Sequence, residues 1–204
     1  TDHHALAFAV DGSILYDGND GGVFSTSSLG PGPAVWNNLN TTFAITEFST
    51  NVSIHPSDPK IAYAGTQDNG TLFYSGSLVW EMIVGGDGGS TALDPAVPGI
   101  WYGAFQGPAI YKLSSVTTFN TVRSPFLGPS EVLANGIAPS DRFLAYAPLV
   151  LAPSNPRRIY YGSQRLYQSD DGAGTWTAIS DDLAGGNGSI TAITISPANP
   201  QAIA

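Results

Sequence analysis

Cysteine is absent from all 204 residues, which removes disulfides, thiolate metal sites and cysteine nucleophiles in one step. Basic residues are almost as scarce: seven Lys plus Arg stand against 16 Asp plus Glu, for a formal net charge of −9. Such a surface repels phosphate backbones and anionic headgroups, so neither nucleic acid nor a membrane surface is expected as a partner. A cationic ligand, a divalent metal or a neutral sugar stays admissible. No apolar run approaches the roughly 20 residues of a membrane span, so no membrane insertion is expected, and no signal-peptide pattern opens the sequence. Nor does any stretch combine a 3.6-residue apolar period with caps, so almost no helix is expected.

What is plentiful is punctuation. The 24 glycines and 15 prolines are spread along the chain, and hydrophobic residues reach 42% against 11% charged. That balance argues against disorder and for many short strands joined by tight turns. A surface rich in Ser, Thr, Asn and Gly but poor in charge fits an exported protein, extracellular or periplasmic.

One pattern recurs: a proline turn, a hydrophobic step, an aromatic, then glycine. It reads IHPSDPKIAYAG (54–65), LDPAVPGIWYG (93–103), LAPSNPRRIYYG (151–162) and ISPANPQAIA (195–204), with VDGSILYDG (10–18) as a copy turned by Asp11-Gly12. The closing glycines Gly18, Gly65, Gly103 and Gly162 are 47, 38 and 59 residues apart. A period of about 40 to 50 marks a solenoid, propeller or array. Within residues 4–40 the runs HALAFAV, SILYDG, GVFSTS and VWNNLN read as four strands, and FSTNVSI, KIAYAG, TLFYSG and VWEMIVG repeat the order. Four short strands per repeat is the arithmetic of an all-β propeller blade, whose edges are covered by neighbouring blades. Blades are expected at about 3–42, 43–88, 89–127 and 143–184, with a fifth starting near 188, about four and a half in one domain. Residues 123–143 lack alternation and read as an inserted loop. Because propellers close with four to eight blades, the expectation is an incomplete propeller whose remaining blades come from the same or another chain.

SDDGAGTW (169–176) resembles the Asp-box, or BNR repeat, with the pattern Ser-x-Asp-x-Gly-x-Thr-Trp. Ser169, Asp171, Thr175 and Trp176 match, while Ala173 stands at the central glycine position between Gly172 and Gly174. The resemblance implies a propeller of the sortilin, sialidase and xyloglucanase kind, and is greatest to bacterial exported propellers through NDGGVF (19–24), TQDNGTLF (66–73) and GGDGG (85–89). It implies a structural role: Asp171 accepting backbone amides across the turn between a third and fourth strand, and Trp176 packed between blades. Trp36 and Trp80 occupy the matching positions of the first two repeats, where the Asp is lost.

The strand assignment gathers two classes of loops on one face. They bring Asp2, His3, His4, Asn19, Asp20, Gln67, Asp68, Asn69, Asp87, Gln106 and Arg165 toward one opening, with the 180–186 loop. A sialidase needs an arginine cluster, and the five arginines here are dispersed. A xyloglucanase-like glycoside hydrolase needs two carboxylates, for which Asp20, Asp68 and Asp87 are the candidates, although Asp-Gly and Asn-Gly pairs serve hairpin turns equally well. Asp2, His3 and His4 offer carboxylate and imidazole donors to a divalent metal without a spaced further partner. Calcium is the other admissible cation, no EF-hand loop is present, and no other cofactor is expected. GGDGG reads as a flexible corner. Of Tyr63, Trp101, Tyr102, Tyr160 and Tyr161, alternation is expected to bury one of each adjacent pair between blades; most are expected in the core, with sugar stacking open only to one or two at loop ends. The expected function is a non-enzymatic binding or scaffold module recognising a protein or glycan, with the glycoside hydrolase as the alternative.

Overall fold

The computed structural model describes residues 2–43, 46–97, 99–114 and 135–204. Every sheet is antiparallel and follows chain order. The first contains β1 (His3–Phe8), β2 (Leu15–Asn19), β3 (Gly22–Thr26) and β4 (Asn37–Asn38); the second β5 (Phe48–Ile54), β6 (Ala62–Thr66), β7 (Gly70–Tyr74) and β8 (Glu81–Val84). The third contains β9 (Gly88–Leu93), β10 (Ile100–Phe105) and β11 (Ile110–Ser114), and its expected fourth strand falls among residues 115–134, outside the described residues. The fourth contains β12 (Leu149–Ala152), β13 (Asn155–Gly162), β14 (Leu166–Ser169) and β15 (Thr177–Ala178), and an Ile195–Ile203 bridge opens a further unit. Trp36, Trp80 and Trp176 each sit one to two residues or fewer before a fourth strand, where the repeat places them.

The second, third and fourth sheets meet in sequence. Between the second and third, Tyr63 stacks on Trp101 with centroids 4.5 Å apart and planes 14° from parallel, and Tyr111 meets the Trp101 ring edge-on at 5.5 Å. Between the third and fourth lie Tyr102, Ile110, Ile159, Tyr161, Tyr167 and Trp176. Tyr160, Leu166 and Ile195 close the fourth sheet against the last segment. Blades stacked radially in chain order make this an all-β propeller arc. The first sheet contributes to none of the three core clusters, and Leu6 and Phe8 of β1 stay exposed.

Two expectations are corrected here. Alternation does not leave an aromatic of each pair free: Trp101 and Tyr102, like Tyr160 and Tyr161, are all buried, as is Tyr63. A blade inside the arc has a neighbour on both faces, so opposite-facing side chains are both covered, and none of the five is open for sugar stacking. Nor do the glycines of GGDGG form a loose corner. Gly88 and Gly89 belong to β9, and a Cβ on Gly65 would lie 2.1 Å from the Gly89 carbonyl oxygen. Adjacent blades touch backbone to backbone there, which only glycine permits.

The SDDGAGTW turn joins β14 to β15. Asp171 accepts hydrogen bonds from the Thr175 amide (2.9 Å), the Thr175 hydroxyl (2.7 Å) and the Ser169 hydroxyl (2.8 Å). Ala173 sits at φ +68°, the left-handed region that favours glycine, its methyl buried. Burial alone would push the Asp171 carboxyl up; the Thr175 and Ser169 bonds outweigh it and hold the group at about 2. A depressed carboxylate stabilises the fold above its ordinary value near 3.8 and loses that contribution as pH falls toward about 2. We therefore expect the melting temperature of the wild type to fall between about pH 4 and pH 2 more steeply than that of Asp171→Asn, whose melting temperature is already lower at pH 7. Parallel melting curves of the two proteins across that range would refute this.

Residues 135–143, read as the end of an inserted loop, are built into the arc. Ile137 is buried, the Asn135 carbonyl accepts from the Trp176 amide at 2.6 Å, and Asp141 lies in the fourth sheet's loop layer. Apolar alternation is absent because this segment packs through single residues and polar bonds rather than as a strand.

Candidate functional site

The β2–β3 and β6–β7 turns and the approach to β9 bring their carboxylates together. In the first turn the Asn19 side-chain oxygen accepts from the Gly21 amide at 2.9 Å, which fixes the bend that presents Asp20. In the second, Asp68 adopts φ +58° and Asn69 is held through Gln67, whose own amide bonds the Glu47 carbonyl at 3.2 Å. Asp68 and Asp20 lie close enough for the charge of one to act on the other. Asp87 accepts from the Asp68 amide at 2.7 Å through Oδ1 and from the Gln106 side-chain amide through Oδ2. His4 Nε2 bonds Asp20 Oδ1, and the Asp2 amide reaches Asp20 Oδ2 at 3.2 Å. The result is an acidic rim of Asp20, Asp68 and Asp87, with Asp2, His4, Gln67, Asn69 and Gln106 around it.

The charges polarise one another. Asp20 is held below the usual carboxylate range, chiefly by its hydrogen bond to His4, and His4 is raised, chiefly by the same bond. Asp68 moves the other way: desolvation first, then the charges of Asp20 and Asp87, raise it. Tyr146, in the segment before β12, also faces this rim; its hydroxyl is raised by burial and then by Asp87. No sequence pattern marked Tyr146, because its segment has no counterpart in the other repeats.

A carboxyl raised in the folded state favours folding while protonated and loses that advantage as pH rises through its raised value. At neutral pH, then, ionised Asp68 opposes folding through Asp20 and Asp87. Asp68→Asn removes the charge and suits a left-handed backbone position. Its melting temperature is expected to exceed the wild type's at pH 7 by a margin that vanishes near pH 3. An equal gain at both pH values would mean that charge repulsion is not the cause.

Arg165 is directed elsewhere: its guanidinium lies 3.8 Å from Asp141 Oδ1. The 180–186 loop joins the same neighbourhood through Leu183 N to the Gln164 carbonyl (2.9 Å) and the Arg142–Asp182 ion pair (2.8 Å). Asp2, His3 and His4 do not converge as donors, since His3 turns to Asp17 and His4 to Asp20. Among the described residues, no group of three or more His, Asp or Glu is arranged to hold a metal ion. The turn at Ser169 to Trp176, including Gly172 and Gly174, follows β14; its neighbours are Arg157 and the Arg158–Asp170 pair.

Sequence reasoning missed a second constellation. His3, Asp17, Asn19, Gly21, Phe24 and Trp36 line a cavity of about 360 Å3 on the first sheet. The signal was present in the repeat: aligning LYDG with AYAG sets a carboxylate, Asp17, where the second repeat has Ala64.

With this geometry the protein is an acidic-rimmed arc of propeller blades. No family model matches the chain, and no curated protein matches it. Among solved structures it is similar to a crystal structure described as an ancestral GH74 enzyme, with 15% identity and a TM-score of 0.45, over 88% of this chain and 24% of that one. The chain thus spans about a quarter of that enzyme's length.

Proposed function

We propose that the protein is a non-enzymatic binding module of an exported protein, whose acidic rim receives a cationic segment of a partner protein. One observation carries this reading: two of the carboxylates that hydrolysis would require, Asp20 and Asp87, already have both oxygens bonded within the rim. Inverting glycoside hydrolysis needs carboxyls about 6.5–9.5 Å apart to admit a water, and retaining chemistry about 5–5.5 Å. Asp20 has both oxygens engaged, Oδ1 by His4 and Oδ2 by the Asp2 amide at 3.2 Å. Asp87 has both oxygens occupied by Asp68 and Gln106. Three carboxylates held together make a site for positive charge, and the net charge of −9 steers such a partner toward it. In this reading the Ser169–Trp176 turn is an Asp-box with a purely structural role.

Two assays separate this from a glycoside hydrolase. The protein is expected to release no reducing sugar from xyloglucan and mixed-linkage β-glucan, with Asp20→Asn indistinguishable from wild type. It is expected to bind an octalysine peptide at low ionic strength and release it near 1 M salt, where screening shortens to about 3 Å. The double variant Asp68→Asn/Asp87→Asn should weaken that binding about tenfold, which corresponds to about 1.4 kcal/mol. Sugar release abolished by Asp20→Asn would overturn the proposal, as would octalysine binding untouched by the double variant.

A further inference from the structure

We infer that the cavity on the first sheet is a saccharide site, separate from the acidic rim and independent of what the rim binds. Its centre is Asp17. This residue sits mid-strand on β2, paired with Leu6 of β1 and Phe24 of β3, and is only 2% exposed. Oδ2 is served twice, by His3 Nδ1 at 2.8 Å and Asn19 Nδ2 at 2.7 Å. Oδ1 is buried and has no hydrogen-bond partner among the described residues. A buried acceptor without a donor is costly, more so on a charged group, so this oxygen is an unmet demand for one O–H or N–H.

The surroundings say what brings that donor. The cavity volume of about 360 Å3 falls at the small end of sites that hold organic molecules, about 300–1,000 Å3. Its walls are two aromatics, Phe24 and Trp36, and Trp36 is 41% exposed, whereas Trp101 and Trp176 are buried in cores and Trp80 is half-buried. An exposed indole beside a buried carboxylate and a planar amide suits a ligand with one apolar face and hydroxyls at its edge, which describes a pyranose. The cavity holds one carboxylate whose other oxygen is already matched, so it takes a further neutral donor and not a full positive charge. His3 stands at the mouth: its side chain is 63% exposed while that of Asp17 is 3%.

The test uses the whole protein and four probes: the methyl pyranosides of glucose, galactose, mannose and N-acetylglucosamine. Saturation-transfer NMR and tryptophan fluorescence are recorded for wild type, Asp17→Asn, Trp36→Ala and Trp36→Phe. At least one pyranoside is expected to bind with a low-millimolar Kd; Trp36→Ala and Asp17→Asn should each weaken it about tenfold or more, and Trp36→Phe should keep most of it. Met82→Ala, in the groove of the second sheet, is expected to bind as wild type. Should Asp17→Asn unfold the first sheet, the exposed Trp36 ring still supplies the readout. The inference is overturned if none of the four binds at about 50 mM, or if the bound sugar is indifferent to both Trp36→Ala and Asp17→Asn. Loss of octalysine binding alone would leave it standing, because that peptide probes the rim.

Discussion

Replacing Trp101 by alanine is expected to destabilise the protein by about 3–5 kcal/mol, the range for truncating a large buried aromatic. Trp101 is 2% exposed and bridges two blades. It stacks on Tyr63 from the second sheet and takes Tyr111 against its edge from its own. Alanine leaves a cavity that Tyr63, itself fixed against Phe73, cannot close. Beside it, Tyr111 shares a hydrogen bond with Thr71 across the same blade boundary, so loosening of the ring pair propagates to a buried polar contact. For a domain of this size the change amounts to a fall in melting temperature of roughly 6–20 °C. Trp101→Phe, which keeps a stacked ring, should cost less than half as much. A loss below about 1 kcal/mol for the alanine variant, measured by urea unfolding, would mean that the second and third blades are not held together at this point.

The second large effect belongs to Asp141. Its carboxylate is buried and accepts from the Ser163 hydroxyl at 2.8 Å, the Tyr167 hydroxyl at 2.7 Å and the Gln164 side-chain amide at 2.9 Å. Gln164 in turn accepts from the Arg142 amide at 2.6 Å, so one carboxylate organises the loop layer of the fourth blade. Asp141→Ala strands three buried donors together and is expected to cost about 3–5 kcal/mol. Tyr167→Phe removes one donor to Asp141 and the acceptor of the Ala138 amide (3.1 Å), and should cost about 1–3 kcal/mol. In the double variant Asp141→Ala/Tyr167→Phe the two losses should fall short of additivity, because the Tyr167 hydroxyl is no longer there to be stranded. Strict additivity would show that the Tyr167 bond contributes nothing in the native protein.

Both effects are structural and leave the acidic rim on other loops. That separation is testable alongside the binding assays: variants of Trp101 should lower stability while the folded fraction still binds octalysine. It follows from the division of labour in a propeller, where blade faces make the core and the connecting loops make the surface.

The strands were legible from local chemistry. HALAFAV, SILYDG and GVFSTS became β1, β2 and β3 because branched and aromatic side chains alternate between glycine and aspartate turns. The closing glycines gave the repeat, and the repeat gave the blade. SDDGAGTW was legible for the same reason: all the bonds of Asp171 go to residues within four positions, so they are written in the local sequence. The loop assignment likewise led to the expectation of Asp20, Asp68 and Asp87 on one face.

Tertiary structure alone decided the rest. That Asp20 is held down chiefly by His4 while Asp68 is raised by desolvation and then by the charges of Asp20 and Asp87 depends on which loops come to share one rim, which no local pattern encodes. That both members of Trp101-Tyr102 and of Tyr160-Tyr161 are buried depends on a blade having neighbours on both faces. Asp141 could not be found from sequence, since its partners lie 22 to 26 residues away. The hydrogen bonds of a turn are short-range and follow from residue type, whereas the burial and charge of a site follow from which distant surfaces come to share one space.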